Sequence, residues 1–252
     1  KANVGGLVGN FDGKLVDNVS VDGDVYAEGG NVDNNHGIGG DLVSAGLIAG
    51  FTADGNDVSF EEIAARGTVG ADPDGADYAV PAGLVGTTGG SVSVSTAYAQ
   101  VRVTEGTHGG GAIGWTSNVG STFEKQYAAA TFDQDVNEHG AVVGIIGKDA
   151  EHDFKNSVYY NDSSRDAVGD DRADGLRNWQ GLPTADMQGS SAETAMNNLD
   201  FQNRWQTVAA DYPVFQWEAN AAGEGSVHGI EAFNVSEYAT GQNQIRVRAT
   251  DE

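Results

Sequence analysis

A short apolar pair flanked by glycine recurs five times in the first 150 residues, and this repetition constrains the fold more than any other feature of the chain. The copies begin 28 to 40 residues apart, a spacing typical of repeat architectures. They are Gly6-Leu7-Val8-Gly9, Gly46-Leu47-Ile48-Ala49, Gly83-Leu84-Val85-Gly86, Gly111-Ala112-Ile113-Gly114 and Gly144-Ile145-Ile146-Gly147.

A second short run typical of a β-strand follows each pair. Extra length between copies falls in stretches rich in Asp, Gly and Asn, where turns tolerate insertions. Helical apolar spacing is missing from residues 1–160. These patterns predict an all-β fold, a parallel β-solenoid of about five glycine-rich repeats over residues 1–160, with the apolar pairs stacked inward in one column. The second runs are Asn18-Val19-Ser20-Val21, Ile63-Ala64-Ala65, Thr96-Ala97-Tyr98-Ala99, Gln126-Tyr127-Ala128-Ala129 and Ser157-Val158-Tyr159-Tyr160.

Val4-Gly5-Gly6-Leu7-Val8-Gly9, followed by Asn18-Val19-Ser20-Val21-Asp22-Gly23, resembles the GLUG-motif repeat of large bacterial and archaeal surface proteins. The copy at residues 83–86 also matches, whereas Ala49 and Ala112 depart from the pattern in the second and fourth copies. The stretch from Gly181 to Trp217 is similar to the closing segment of such arrays. The resemblance implies a β-solenoid region of a cell-surface protein located outside the cell.

Residues 161–218 are predicted to form a C-terminal capping segment with short helices, because large side chains gather there that could cover an open end of the repeats. No such cluster precedes Gly6, so we expect the chain to continue upstream or another chain to cover the first repeat. The large side chains are Trp179, Met187, Phe201, Trp205, Tyr212, Phe215 and Trp217.

Residues 219–229 are rich in Ala, Gly and Ser and are predicted to be a linker. Residues 230–252 contain two stretches with strand-like alternation, Ile230 to Val235 and Gln244 to Ala249. They predict either the start of a further β-sandwich domain that is truncated at Glu252 or a hairpin along the edge of the repeats.

The charge and composition of the chain limit the classes of partner that it can bind. The formal net charge of −24 disfavours nucleic acid and anionic membranes as ligands, and no run approaches the ~18 apolar residues of a membrane span. Cysteine is absent, which excludes disulfides and thiolate chemistry. The 24 Asp and 13 Glu against only 5 Lys resemble the composition of salt-adapted archaeal proteins. Since concentrated salt screens self-repulsion, we expect the fold to be weaker in dilute buffer.

Two aspartate-rich stretches are candidate calcium loops; the sequence predicts no cofactor apart from this possible calcium. Asp72, Asp74 and Asp77 alternate around Gly75, and Asp170, Asp171 and Asp174 precede Gly175. Neither stretch carries the bidentate glutamate of an EF-hand loop. Solvated turns in an acidic chain explain the same pattern.

Three histidines precede glycine in similar contexts, at His36, His108 and His139. Stacked repeats could bring the last two together as zinc or copper ligands, whereas a recurrent turn position explains the same spacing without metal. Three glycosylation sequons begin at Asn18, Asn161 and Asn234, and about two such triplets are expected by chance from the Asn and Ser/Thr content.

Tyr98, Tyr127, Tyr159 and Tyr160 occupy similar places in the second runs. The first three form a candidate ligand row that would suit a glycan, and the alternative is an aromatic ladder that packs the repeats.

The sequence predicts that this chain has no enzymatic activity. It lacks the GxSxG, HExxH and GxxxxGK motifs, and carboxylate pairs such as Asp133/Asp135 carry little information in so acidic a chain. We therefore predict a non-enzymatic structural or adhesive β-solenoid module of a salt-adapted cell-surface or filament protein. Its predicted partners are other copies of itself, neighbouring surface proteins or cell-surface glycans. The alternative is a glycan-binding or glycan-processing β-helix module.

Overall fold

A computed structural model describes residues 2–28, 42–52, 57–74, 77–116, 120–147, 152–162, 166–171 and 177–221. Of these residues, 68% lie in strands and 7% in helices, which confirms the all-β class. The predicted strands at residues 230–252 lie outside the described residues, as does most of the predicted linker. The first residues of that linker, 219–221, instead belong to a short helix.

The elements follow one another in chain order as strands and then a short mixed segment. The strands are β1 (Ala2–Gly5), β2 (Val8–Phe11), β3 (Leu15–Ala27), β4 (Leu42–Gly46), β5 (Ala49–Thr52), β6 (Val58–Ala71), β7 (Tyr78–Ala82), β8 (Val85–Thr88), β9 (Val92–Gly110), β10 (Ile113–Trp115), β11 (Thr122–Gly140), β12 (Val143–Ile146), β13 (Asp153–Asn161), β14 (Val168–Asp171), β15 (Arg177–Leu182), β16 (Trp205–Val208) and β17 (Asp211–Phe215). A 3₁₀ helix spans Thr184–Asp186, and the α-helices are α1 (Ser191–Ala195) and α2 (Gln216–Ala221).

Two parallel sheets contain all strands up to β15. Sheet 1 has nine strands in the order β1-β4-β7-β9-β11-β13-β15, with β3 joined to β6 and β6 to β9. Sheet 2 has six strands in the order β14-β12-β10-β8-β5-β2. Along the chain a strand of sheet 1 always precedes and follows each strand of sheet 2. Neighbouring strands in either sheet therefore come from successive repeats of one short unit.

Sheet 2 holds six strands, so the repeats number six among the described residues rather than the predicted five. The sixth includes Ala167-Val168-Gly169 and ends with β15 at Leu182. Consequently the repeats extend about 20 residues beyond the predicted boundary at residue 160. The sequence pattern hid this copy because Asp166 occupies the position that glycine holds at Gly6, Gly83 and Gly111.

The strand register corrects the predicted alignment of two repeats. Val8 pairs with Ala49, which makes Gly50 the equivalent of Gly9. Ile113 pairs with Val143, so the fifth copy is residues 141–144 and not residues 144–147. The second copy is likewise shifted by one residue, to 47–50.

The closing glycine of each motif lies directly against the backbone of sheet 1. A Cβ atom added to Gly86 would lie 2.8 Å from Ala45 N and 2.9 Å from Ala45 O in sheet 1, and 2.7 Å from Gly50 O in the adjacent strand of sheet 2. Similar contacts occur at Gly50 and Gly144. Because the opposing atoms are backbone, these positions exclude any side chain, and this is why the motif recurs.

The glycine contact separates two interiors. The main core lies between the inner face of sheet 1, the turns that join the sheets and the first residues of the sheet 2 strands, and it contains Ile48, Leu84, Ala112 and Val142 at equivalent turn positions. Leu7, at the end of the stack, is 43% exposed. A smaller core on the other side of the glycines contains Leu42, Val80, Trp115 and Ile145. Leu7, Leu84 and Ile145 therefore do not form the single column predicted from sequence.

Each of the long strands β3, β6, β9 and β11 bends at one residue in the left-handed region. These residues are Asn18, Glu62, Thr96 and Lys125, with φ between 49° and 69°. Their neighbours pair in register, so the four bends lie on top of one another. A left-handed conformation is unfavourable for most side chains, and its recurrence indicates that the stacked strands impose it.

Candidate functional site

The tyrosine row predicted from sequence exists, but it lies inside the protein. Tyr127 pairs in register with both Tyr98 and Tyr159. The rings of Tyr98 and Tyr127 are stacked, with centroids 5.2 Å apart and planes 3° from parallel. All three side chains are at most 1% exposed. Tyr160 does not belong to the row, because it pairs with Ala128 and joins the main core.

The C-terminal segment, residues 184–221, covers this row along the outer face of sheet 1. It does not form the cap across the end of the repeats that was predicted. Phe215 lies 5.3 Å from the Tyr98 ring, and Trp205 lies 5.6 Å from the Tyr127 ring. Met187, Met196 and Leu199 complete the same buried cluster. The C-terminal segment therefore occupies the tyrosine ring faces on which a bound sugar would stack.

A carboxylate of helix α2 ties the C-terminal segment to three repeats. Glu218 accepts hydrogen bonds from the Tyr98 hydroxyl at 2.9 Å, from Ser20 Oγ at 2.9 Å and from Arg66 at 3.0 Å. The Arg66 guanidinium also lies 4.9 Å from the centroid of the Tyr98 ring. Since the Glu218 side chain is only 10% exposed, these bonds are weakly screened by solvent.

Two further tyrosine hydroxyls bond to the segment. Tyr127 donates to Pro213 O at 2.5 Å and accepts from Gln100 at 2.7 Å. Tyr159 accepts from the backbone N–H of Asn198 at 3.2 Å. Burial raises the pKa of the Tyr127 hydroxyl well above its ordinary value and also raises the pKa of Tyr159. Both therefore remain neutral donors or acceptors under ordinary conditions.

Asp72 and Asp74, two of the three predicted calcium residues, are joined by a local hydrogen bond. Asp72 Oδ1 accepts the backbone N–H of Asp74 at 2.7 Å, whereas the side chains of Asp74 and Asp77 are exposed. Among the described residues these three carboxylates do not converge on one point. Residues 172–176, in the second candidate stretch, lie outside the described residues.

The group of metal-ligating side chains around His108 does not include His139, which the zinc or copper hypothesis placed beside it. His36 lies outside the described residues. His139 stacks on the Phe132 ring, with centroids 4.5 Å apart. His108 lies opposite Glu138 in the sheet register, and its Nε2 is 3.2 Å from a Glu138 oxygen.

His108, Glu138 and Asp170 form the one group of three metal-ligating side chains found in the described part of the chain. Their nearest ligand atoms all lie within 4.8 Å of one another. Sequence reasoning identified His108 but missed Glu138 and Asp170 as its neighbours. Sequence spacing alone could not find them, because their proximity depends on the strand register and on how the two sheets face each other.

The sequon asparagines differ in accessibility. Asn18 is exposed at the bend of β3. Asn161 is half-buried, and its side chain bonds the backbone N–H of Ala130 at 2.9 Å, which gives it a structural role between repeats. Asn234 lies outside the described residues.

The first repeat presents an incompletely covered edge. Its inward apolar side chains pack on the main core yet are only partly buried, unlike their counterparts in later repeats. These side chains are Val4, Val8, Phe11, Val19 and Val21.

No family model, curated protein or solved structure matches the chain. The similarity to GLUG-motif repeats therefore stays a prediction based on the motifs themselves. Within the residues that the structure describes, no helix has the length and apolar character needed to cross a membrane.

Proposed function

We propose that this all-β chain is a β-solenoid module of a cell-surface or filament protein, and that it serves outside the cell as a stiff structural or adhesive element without catalytic activity. One observation carries the proposal: strands of both sheets follow one another in parallel register through six repeats. Adjacent strands lie about 4.8 Å apart, so six of them span roughly 24 Å. Each repeat supports only its neighbours, which suits a spacer built by addition of units.

The edge of the first repeat, which is incompletely covered among the described residues, supports this role. A sheet edge offers unpaired backbone groups, and here it is accompanied by partly exposed side chains of the main core. A further repeat of the same geometry would pair with β1, β2 and β3 and bury those side chains. The edge is therefore the surface through which the module would join its neighbour.

The acidic composition supports a salty environment outside the cell. A net charge of −24 disfavours the compact state through self-repulsion, and dissolved salt weakens that repulsion. In this proposal the carboxylates maintain hydration and solubility.

The alternative glycan module receives less support. It needs an aromatic platform open to solvent, and the three tyrosines of the candidate row are buried beneath residues 184–221.

Antibody labelling of the cells that make the protein tests the proposal. An antibody against the folded module should label intact cells, and brief protease treatment of those cells should remove the signal. An antibody against a cytoplasmic protein is the control for lysis. Labelling that appears only after lysis would contradict a role outside the cell.

A further inference from the structure

We propose that His108, Glu138 and Asp170 bind a divalent metal ion of the zinc class, which ties together the fourth, fifth and sixth repeats.

The three residues lie where the smaller core changes its chemistry. One column runs through Ser44 and Val80 on sheet 1 and continues to His108 and Glu138. The facing column on sheet 2 runs through Phe51, Thr87, Trp115 and Ile145 to Asp170. Near the start of the stack the columns meet through a buried hydroxyl pair, with Ser44 Oγ and Thr87 Oγ1 2.8 Å apart. At the far end, ionisable side chains replace the apolar ones.

His108 is oriented as a metal ligand. Its Nδ1 lies 3.1 Å from the Thr107 hydroxyl, and that hydroxyl donates its single proton to Ala79 O at 3.1 Å. When the hydroxyl donates to Ala79 O, it can accept from Nδ1–H, and in that tautomer the lone pair of the neutral ring lies on Nε2. Such an outer hydrogen bond to the second ring nitrogen is typical of metal-bound histidine.

The ring is also held in place by packing. It is only 13% exposed, and its centroid lies 5.7 Å from that of Tyr78. Nε2 consequently points toward Glu138, whose oxygen is 3.2 Å away.

The charges around Nε2 favour a multivalent cation. Two carboxylates and a lone pair converge within 4.8 Å, in a chain with a net charge of −24. A proton on Nε2 could form a directional hydrogen bond to only one of the two carboxylates. A metal ion would attract Nε2 and both carboxylate oxygens at once. Zinc bonds to nitrogen and oxygen are about 2.0–2.2 Å long, so two ligand atoms on one tetrahedral zinc lie about 3.3 Å apart. His108 Nε2 and the Glu138 oxygen, 3.2 Å apart, already have about this separation.

The nitrogen ligand decides the class of metal. Imidazole suits zinc and other late first-row ions, whereas sites built from oxygen alone suit calcium and magnesium. Bound at this place, the ion would connect β9 and β11 of sheet 1 to β14 of sheet 2, the last strand of that sheet.

Calorimetric titration of the chelator-treated protein with zinc chloride tests the proposal. We expect one zinc ion per chain and a rise in melting temperature on binding. His108→Gln and Asp170→Asn should weaken binding by more than the about 10–100-fold that loss of an outer-shell partner causes. His139→Gln and Asp171→Asn change the residues that follow Glu138 on β11 and Asp170 on β14, and both variants should keep wild-type affinity. Magnesium at the same concentration should leave the melting temperature unchanged.

Absence of binding to the wild-type protein would overturn the proposal, as would affinity that survives His108→Gln. If a variant fails to fold, nuclear magnetic resonance of the wild-type histidine side chains replaces it. Zinc must then shift the Nε2 resonance of His108, and a shift confined to other histidines would equally overturn the assignment.

Discussion

The two faces of sheet 1 are buried in different ways. On the inner face, small and branched side chains such as Ala97, Ala99 and Val103 pack against the equivalent residues of adjacent repeats and against the turns. On the outer face, Tyr98 and Tyr127 pack against the C-terminal segment, which has no repeat of its own. Repetition therefore builds one face of this sheet, whereas the other face needs a separate and specific partner.

The polar contacts differ in the same way. The inner face depends on strand pairing and on the close approach allowed at glycine. The outer face adds directional bonds to Glu218, Pro213 and Asn198. Damage to the glycine contact should therefore disrupt every repeat nearby, whereas damage to the outer face should release the C-terminal segment first.

Gly86→Val should produce the largest effect. Its Cβ would lie 2.7–2.9 Å from backbone atoms of Gly50 and Ala45, which cannot move without breaking strand pairs. We expect a loss of about 3 kcal/mol or more in the free energy of unfolding, the upper end for overpacking. Denaturant unfolding followed by circular dichroism measures it. Ser59→Val, at an exposed strand position, is the control and should change stability by less than about 0.5 kcal/mol. Equal stability of the two variants would refute the glycine contact.

Phe215→Ala should make the C-terminal segment on the outer face unfold before the repeats. The ring is fully buried between Tyr98 and Trp205, so its removal should cost about 3 kcal/mol. Because the lost contacts belong to the outer face, tryptophan fluorescence from Trp205 and Trp217 should change at lower denaturant concentration than circular dichroism. Coincident transitions in the variant would mean that the cover and the repeats unfold as one unit.

Gln126→Leu should stabilise the inner face. Gln126 is 2% exposed, and neither side-chain polar atom has a hydrogen-bond partner among the described residues. Its neighbours in register are Ala97 and Val158, both in the main core. An unsatisfied buried amide costs about 1–3 kcal/mol, so leucine should raise the unfolding free energy by about that amount. A lower denaturation midpoint would show that the amide has a role in the fold.

Tyr127→Phe should give the smallest effect at neutral pH, about 1 kcal/mol for the bond to Pro213 O. Its pH dependence is more informative. Burial raises the folded-state pKa of Tyr127 above the unfolded value near 10, so the folded state retains the proton more tightly. The resulting stability is complete below about pH 10 and is lost as the pH rises through the folded pKa.

Stability measured from pH 8 to 12 should accordingly fall less steeply in Tyr127→Phe than in the wild type. Identical slopes would mean that Tyr127 already ionises normally in the folded protein.

The difference between the faces also explains how much the sequence could predict. The repeated residues predicted the all-β class, the parallel strands and the equivalence of Tyr98, Tyr127 and Tyr159. They could do so because similar residues recur at equivalent positions of stacked repeats. The predicted alignment of the second and fifth repeats was wrong, because glycines that leave no room for a side chain stand at both ends of the turn and only the strand pairing shows which of them are equivalent. Gly46 and Gly50 illustrate this ambiguity.

The packing of the C-terminal segment on the outer face of sheet 1 could not be predicted from residue spacing. Nothing in the spacing of Phe215 or Glu218 indicates whether the segment covers an end or a side of the repeats. The same limit applies to His108, Glu138 and Asp170, whose proximity arises only after both sheets and their register are fixed.

Cross-linking of an introduced cysteine pair tests the stacked register most directly. The chain has no cysteine, so any disulfide must come from the pair that is added. Ser44→Cys with Thr87→Cys replaces hydroxyls that are 2.8 Å apart in adjacent repeats, and mild oxidation should link them almost completely. Ser44→Cys with Thr88→Cys places the second thiol on the other face of β8 and should stay reduced. A folded protein that links residues 44 and 88 instead, or neither pair, would contradict the account.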